Sequence, residues 1–489
     1  MKRAEKRVLA ATVLFGALLI VAPLWWRAQN ANIVVSIPEA TLPNPNAFDD
    51  YARAAAQIRY DFEVNAAISI FHPELPLRAL PISPPQDIKI EVSNGAFGPP
   101  STTKRLPGPP PITNRVLHRE YSIIEKEWLL KQNAAVLQSV AQGLRRRCLQ
   151  PSQSYVLDGG PGPHFRSVFH LMTLRAQVQA QRGDLDGALQ TLLDEVQVSI
   201  GLSQNAPVHE NSVAWRGEQL AARELWELMP RLNARQTKQA TQRLETLLAR
   251  RPTYRQMLQQ EKWCTQRGLL EAFQYPDWRL QIAWSTGNAN PSLSQRAQVF
   301  ALNAVSKRRV FDTYDRHMNN VIARATQPYR NAEIEIPISD PVSAHLLGFS
   351  LRSHWAHANR QAQTPLLLTA LALHAHKLEQ GAYPSTLNAL VPRYLQAVPL
   401  DPFSNRQTLR YKLRPVRFIK SVVEARKQVL HNEYSIVPYT LYSVGGDAAD
   451  NKGQPATNAF YSRSAEEKCS LYRLMFENKG DIVAGINTR

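Results

Sequence analysis

The sequence predicts a mainly α protein with an N-terminal transmembrane helix, a body of helical hairpins and a small α+β module at the C-terminus. Three observations lead to this fold class. A nearly uninterrupted apolar run occupies residues 8–26, apolar residues follow the helical period over most of 116–377, and Gly, Pro and strand-like alternation replace that period beyond Leu378. The resulting regions are a cytoplasmic stub (1–7), an anchor (8–26), a juxtamembrane helix with a Pro-rich arm (27–115), a helical-hairpin body (116–362) and a C-terminal module (363–489).

Length and composition limit the class of protein. The chain has 489 residues, of which 44% are hydrophobic, so it can bury at least one large core. Its three cysteines, Cys148, Cys264 and Cys469, are too few for a disulfide framework and show no metal-ligand spacing. At most one disulfide is therefore expected.

The apolar run from Val8 to Trp26 is long enough to cross the roughly 30 Å hydrocarbon core of a bilayer as one helix. Basic residues are concentrated on its N-terminal side, so the positive-inside rule places the N-terminus in the cytoplasm and the bulk of the chain outside it. A cleaved signal peptide would need a shorter apolar region and an A-x-A-like site, whereas Ala28 and Ala31 are spaced differently. We expect an uncleaved, single-pass anchor in the inner, or cytoplasmic, membrane of a bacterium.

The net charge of +18 raises the question of an anionic partner. Basic residues are scattered over the predicted helices, and Arg145, Arg146 and Arg147 form the one run of three arginines. That run ends an amphipathic stretch, where cations complement the helix dipole, so a solvated helix end is favoured over a nucleic-acid patch. We expect no nucleic-acid partner, and a membrane-tethered nucleic-acid binder is the alternative that the charge leaves open.

The region after the anchor is predicted to begin with a helix over Phe48 to Phe71. Asn46 is suited to cap this helix, and Asp49 and Asp50 favour its first turn. Prolines are frequent between residues 73 and 111, which excludes a regular helix or a central strand there. We interpret this segment as an extended arm.

The body is predicted to be helical almost throughout. The clearest unit is a hairpin in which residues 165–182 form one helix, Gly183 and Asp184 turn the chain, and residues 185–200 return antiparallel. Apolar residues before this hairpin also share one helical face: Ile123, Ile124, Trp128, Leu129, Val136, Leu137, Val140 and Leu144. Further helices are predicted over 211–229, 234–250, 253–273, 293–326 and 342–378.

The hairpin sequence AQRGDLDGALQTLLDEV resembles one unit of a tetratricopeptide repeat, with Gly183 at the turn and Ala188 and Leu192 on the returning helix. Such repeats need stacked copies to bury their faces, and a recurrence of about 34 residues is not found in this sequence. We therefore predict a body of helical hairpins, whose stacked helix pairs offer a concave surface for protein contacts.

The C-terminal module is predicted to start where a long helix stops. Gly381 ends that helix and Pro384 prevents it from resuming, while Pro399 and the Asp401-Pro402 pair force a turn. Alternating residues then predict two strands. They are Leu409, Tyr411 and Leu413 in the first strand and Tyr439, Leu441 and Ser443 in the second.

The order of these features resembles a known domain. GAYP, LNALVP, DPF, LYSVGGD and GDI follow a long helix, as in the C-terminal domain of type II secretion major pseudopilins and of a group of single-pass bacterial envelope proteins. The resemblance implies a small α+β fold and a link to secretion or pilus-like machinery. The N-terminal hallmark of pseudopilins is absent, since Glu5 stands before the apolar run and no Gly precedes it, so the resemblance implies a fold more than an activity.

An acidic loop in the major pseudopilin domain binds calcium through carboxylate and carbonyl oxygens. The positions of this sequence that match the loop are Asp447, Asp450 and Asp481. The resemblance therefore implies calcium as a cofactor, although Lys452 and the alanines at 448 and 449 depart from the pattern. A solvated turn held by Asx hydrogen bonds is the alternative.

The sequence lacks the common catalytic motifs. GxSxG, HExxH, GxGxxG and GxxxxGK[ST] do not occur, which removes the usual grounds for a serine hydrolase, a zincin or a nucleotide-binding protein. Histidines are concentrated in one region: His345, His354, His357, His374 and His376. His354 and His357 are three residues apart and share a helical face, so they could ligate zinc, but structural histidines on a half-buried face are the favoured interpretation.

These features favour a non-catalytic, membrane-anchored scaffold or interaction protein of the bacterial envelope. The membrane is one expected partner, through Val8 to Trp26, and another protein is the second. An anchored extracytoplasmic metal-dependent hydrolase, with its metal at His354 and His357, is the alternative.

Overall fold

The computed structural model describes residues 23–58, 123–152, 162–279, 305–327, 350–405, 407–424, 429–456 and 479–488, together with residues 21, 282 and 329. This part of the chain is mainly helical and carries a three-stranded sheet and a separate two-stranded hairpin near its C-terminus. The mainly helical class predicted from the sequence is therefore confirmed.

Ten α-helices of the described residues are used below. They are α1 (Ala47–Ala56), α2 (Ile123–Gln132), α3 (Ala134–Gly143), α4 (Gly162–Gln181), α5 (Leu185–Leu202), α6 (Val208–Leu228), α7 (Ala234–Leu248), α8 (Tyr254–Ala272), α9 (Lys307–Arg324) and α10 (Ser350–Gln380). The predicted hairpin of α4 and α5 is confirmed, and α6 packs against both of its helices. The predicted helices 293–326 and 342–378 correspond to α9 and α10, and parts of both predictions lie outside the described residues.

Side-chain caps explain where several helices begin. The Asn46 Oδ1 atom accepts a hydrogen bond from the Phe48 N–H at 3.2 Å, as predicted. The Asp184 Oδ1 atom accepts from the Gly187 N–H at 2.8 Å and starts α5 directly after the turn. Gly183 has a φ of +86°, a left-handed conformation that glycine adopts without strain, so the hairpin turn follows from this residue.

Two local predictions are wrong. Helix α1 ends at Ala56 instead of continuing towards Phe71, because the Gln57 N–H closes the last turn and its side chain accepts a hydrogen bond from Ser139 Oγ on α3 at 3.1 Å. Residues 59–71 lie outside the described residues. The apolar face after Ile123 is also interrupted, because the Asn133 side chain donates to the Leu129 carbonyl and separates α2 from α3. Ile124 is exposed in this arrangement.

The body and the C-terminal module share one hydrophobic core. Leu192 of α5, Leu225 of α6, Leu244 of α7 and Leu371 of α10 are buried in the same apolar cluster as Leu441 of the module. Helix α10 runs without a break across the predicted boundary at 362/363. The two regions therefore meet along this helix.

The module contains the two strands that alternation predicted. Strand β1 (Arg410–Lys412) pairs antiparallel with β4 (Thr440–Ser443), which places Tyr411 opposite Leu441, and β4 pairs with β5 (Ile482–Val483). Gly381, with a φ of +79°, ends α10 as predicted. The sequence analysis missed a second antiparallel pair, β2 (Val416–Glu424) with β3 (Val429–Val437), which lies between β1 and β4 in the chain.

The N-terminal anchor and the run of three arginines have different outcomes. Most of Val8 to Trp26 lies outside the described residues, and among the helices that the structure describes none has the length and apolar character needed to cross a membrane. The anchor therefore stays a prediction.

Arg145, Arg146 and Arg147 are exposed just after α3, as a solvated helix end requires.

Candidate functional site

The three aspartates of the predicted calcium loop converge in the module. Asp447 accepts hydrogen bonds from the Ala449 and Gly480 N–H groups at 3.1 and 3.0 Å. Asp450 accepts from the Lys452 N–H at 2.8 Å, and Asp481 accepts from the Asn451 and Gly453 N–H groups at 3.2 and 2.6 Å. Asp447 and Asp450 therefore each hold an Asx turn, as the alternative describes, whereas Asp481 accepts from the 451–453 segment across a distant part of the chain.

The electrostatics of this loop centre on Asp481, which is fully buried. Burial raises its pKa to about 6, the two backbone N–H groups oppose that rise, and the neighbouring Asp450 and Asp447 add to it. Carboxylate oxygens suit the chemistry of calcium. However, the described part of the chain holds no group of three or more His, Cys, Asp or Glu side chains arranged to hold a metal ion. Calcium binding at Asp447, Asp450 and Asp481 stays a prediction.

The paired histidines lie against one tyrosine. The rings of His354 and His357 stack on Tyr254 of α8, with centroids 4.8 and 4.9 Å away, so the two imidazoles share a helical face as their spacing predicts. Burial lowers the pKa of His354 to about 4, and burial together with Arg360 lowers that of His357 well below its ordinary value. Both rings are neutral near pH 7, and zinc binding there stays a prediction.

The remaining histidines of the predicted group are dispersed. His376 lies with its Nδ1 atom 2.9 Å from the Ala382 carbonyl oxygen at the end of α10. Burial lowers the pKa of His374, which lies on the same helix. His345 is outside the described residues. Among the described histidines of this group, His354 and His357 are the two that share one contact, the Tyr254 ring.

A buried ion cluster that the sequence analysis missed lies beside these histidines. Glu218 of α6, Arg251 of the α7–α8 turn and Arg360 of α10 have side chains that are only 3, 4 and 7% exposed. Both guanidinium groups are bidentate on Glu218, with Nε to carboxylate distances of 3.2 Å for Arg251 and 2.9 Å for Arg360. Burial alone would raise the pKa of Glu218, but the two arginines hold it below its ordinary value. Glu218 is therefore ionised.

Aromatic side chains enclose this cluster. The Arg360 guanidinium lies 5.2 Å from the Trp215 ring centroid, and the Tyr254 hydroxyl is 2.8 Å from Ser353 Oγ. Trp215 Nε1 and His357 Nδ1 are buried and have no hydrogen-bond partner within the described structure. The ion cluster ties α6, the α7–α8 turn and α10 together.

An open groove lies on the other side of α6. It has a volume of about 440 Å³ and is formed by α2, α4, α5 and α6. Apolar side chains such as Leu174 and Leu192 form part of its lining. Its polar lining consists of Lys126, Gln177, Gln181, Arg223, Glu224, Glu227 and Arg231.

The polar lining of the groove is partly fixed by internal contacts. Gln177 Nε2 and Arg223 Nη2 both donate to Glu224 Oε1, at 3.0 and 3.1 Å, and Arg231 Nη2 donates to the Ala180 carbonyl at 2.8 Å. Lys126 of α2 is 7% exposed and makes no hydrogen bond or ion pair with another described residue. The groove therefore offers both apolar surface and a cation that lacks a counter-charge.

A second buried carboxylate lies close to the groove. Glu195 of α5 is fully buried and accepts hydrogen bonds from Thr173 Oγ1 at 3.1 Å. Burial raises its pKa well above the ordinary value, and the Thr173 hydrogen bond only partly opposes this. Burial therefore favours the protonated form of Glu195, in contrast to Glu218.

Comparison of the chain with protein-family models, with curated proteins and with solved structures finds no match.

Proposed function

We propose that this protein is a membrane-anchored, extracytoplasmic interaction protein of the bacterial envelope, whose helical body binds a protein partner. The observation that carries the proposal is the groove of about 440 Å³ between α2, α4, α5 and α6. It combines apolar surface with polar side chains, as protein-binding sites commonly do. The apolar run from Val8 to Trp26, with its basic N-terminal flank, supports the membrane anchor.

The groove is tested by site-specific photo-crosslinking in the native host. A photoreactive amino acid replaces Gln181, which is exposed and lines the groove, and a matched variant carries it at Thr246, which is exposed on α7. We expect a light-dependent adduct with another protein from position 181 and not from position 246. Equal adducts from both positions, or none from position 181, would contradict the proposal.

The anchor and its orientation are tested separately. Val34 is 93% exposed and follows the predicted anchor directly. Val34→Cys and Glu5→Cys are each combined with Cys469→Ser. We expect Val34→Cys to react with a membrane-impermeant maleimide added to spheroplasts, whereas Glu5→Cys reacts only after the membrane is permeabilised. Labelling of both positions from outside, or recovery of the protein without membranes, would contradict the predicted topology.

A further inference from the structure

A basic cluster on α4 and α6 adjoins the groove. Arg166 and His170 of α4 lie one helical turn apart; the charges of Arg216 and Arg223 of α6 act on His170, and those of Arg223 and Arg166 act on Arg216. The two helices approach closely here, because a Cβ atom at Gly217 would lie 2.5 Å from the Phe169 ring. Arg223 belongs to both the cluster and the groove.

This cluster lacks acidic partners for its central cation. Arg216 is half-buried and makes no hydrogen bond or ion pair with any other described residue. Burial, followed by the charges of Arg223 and Arg166, lowers its pKa, because the protonated form is desolvated and repelled. Burial, followed by the charges of Arg216, Arg223 and Arg166, lowers the pKa of His170 to about 4, so its ring is neutral. A bound carboxylate would relieve this unfavourable charge arrangement.

The charge pattern also indicates what kind of anion fits. Glu224 and Glu227 line the groove and would repel a uniformly charged polyanion such as nucleic acid or polyphosphate. A peptide can place carboxylates opposite Arg216, Arg223 and Lys126 and leave neutral residues opposite the two glutamates. The pattern therefore favours a peptide over a polymer of uniform negative charge.

The dimensions agree with a peptide. On α4, Arg166, His170, Gln177 and Gln181 follow one face at a spacing close to the helical period. At 1.5 Å per residue this stripe is about 22 Å long, which matches roughly seven residues of extended chain.

We propose that the groove binds an extended, acid-rich peptide segment of a partner protein, with its carboxylates against Arg216, Arg223 and Lys126. This inference rests on the proposed function and specifies the chemistry of the partner.

The test is selection of peptides from a random dodecapeptide phage library on the full-length protein in nanodiscs. Three forms are compared: the wild type, Arg216→Gln/Arg223→Gln, and Arg255→Gln, which removes an exposed arginine on α8. We expect peptides rich in Asp and Glu from the wild type and from Arg255→Gln, and loss of this enrichment in the double variant. Lys126→Gln provides a second variant, and circular dichroism checks that each one is folded.

The affinity of a selected peptide makes the test quantitative. We expect Kd, measured by fluorescence anisotropy, to rise about tenfold or more in the double variant, since two charge-assisted contacts are lost. A version with Gln in place of every Glu and Asn in place of every Asp should bind equally weakly to both proteins. Selection of apolar or basic peptides, an unchanged Kd in folded variants, or equal competition by polyphosphate would overturn the inference. A crosslink from position 181 without acidic selection would overturn this inference alone and leave the proposed function standing.

Discussion

The helical body and the C-terminal module stabilise buried carboxylates in different ways. In the body, the backbone N–H groups around Glu218 are used by helix α6, so this carboxylate is paired with the side chains of Arg251 and Arg360. In the module, the fully buried Asp401 accepts from the Phe403 and Val444 N–H groups at 3.0 and 2.9 Å. Loops leave backbone donors free, so a buried acid there needs less charge from other side chains.

The largest expected effect tests the pairing in the body. Glu218→Gln leaves two buried arginines without a counter-charge, so we expect it to lower the free energy of unfolding by about 3–5 kcal/mol. Urea denaturation followed by circular dichroism measures this. Glu195→Gln is the matched control, because Glu195 is equally buried in the body but its burial favours the uncharged form, and we expect it to change stability by less than about 1 kcal/mol. Equal losses in the two variants would contradict this distinction between the two buried glutamates.

The second test asks whether the module uses a metal in addition to backbone donors. If Asp447, Asp450 and Asp481 bind calcium in the native state alone, the ion at about 100 times its Kd adds ~2.7 kcal/mol to stability. We expect thermal unfolding to shift upwards with calcium and back with chelator, and Asp447→Ala to abolish the shift. Glu39→Gln, at an exposed site far from the loop in sequence, serves as the control. An unchanged melting temperature would favour the Asx turns without a metal.

The third test removes the charge of a buried carboxylate in the module, as Glu218→Gln does in the body. Asp401→Asn keeps one acceptor oxygen but turns an NH₂ group towards backbone donors, so we expect a loss of about 1–2 kcal/mol in urea denaturation. Arg410 loses one contact with Asp401 and keeps another with Asp450, each at 3.3 Å. A loss as large as that of Glu218→Gln would show that the two regions depend equally on charge.

The smallest expected effect is a pH dependence of the free energy of unfolding, caused by two buried histidines of the body. Burial lowers the pKa of both His354 and His170 to about 4, whereas an unfolded chain titrates near 6.5. The unfolded state therefore binds more protons between these values, so this contribution to stability is complete above pH 6.5 and is lost as the pH falls towards 4. At pH 5.5 we expect a loss of about 1 kcal/mol per histidine. His170→Gln should make the urea midpoint less dependent on pH, and an unchanged slope would contradict the assignment.

Local sequence rules predicted the elements whose causes lie close together in the chain. Asn46 caps α1, Gly183 turns the α4–α5 hairpin, and the alternation around Tyr411 predicted a strand that the structure contains. The β2–β3 hairpin was missed, because the apolar residues of VRFIKSVVE do not alternate. Its enrichment in β-branched and aromatic residues is the signal that the sequence does carry.

The buried cluster could not be predicted in the same way. Glu218 and Arg360 are 142 positions apart, and their pairing depends on how α6 and α10 pack. For the histidines, the shared face of His354 and His357 followed from their spacing, but contact with Tyr254 did not. Spacing describes one helix, whereas a site made by three helices requires their tertiary arrangement.

Helix α10 restricts the positions at which a gene fusion could join the C-terminal module to another protein. Its 31 residues extend about 46 Å, contribute Arg360 to the body, and carry Leu371 into the core shared with Leu441. A gene fusion that joined the module to another protein at residue 363 would divide the helix and expose apolar surface on both pieces. Recombination that preserves folding therefore requires a junction outside Ser350–Gln380, so that the whole helix is inherited with the module.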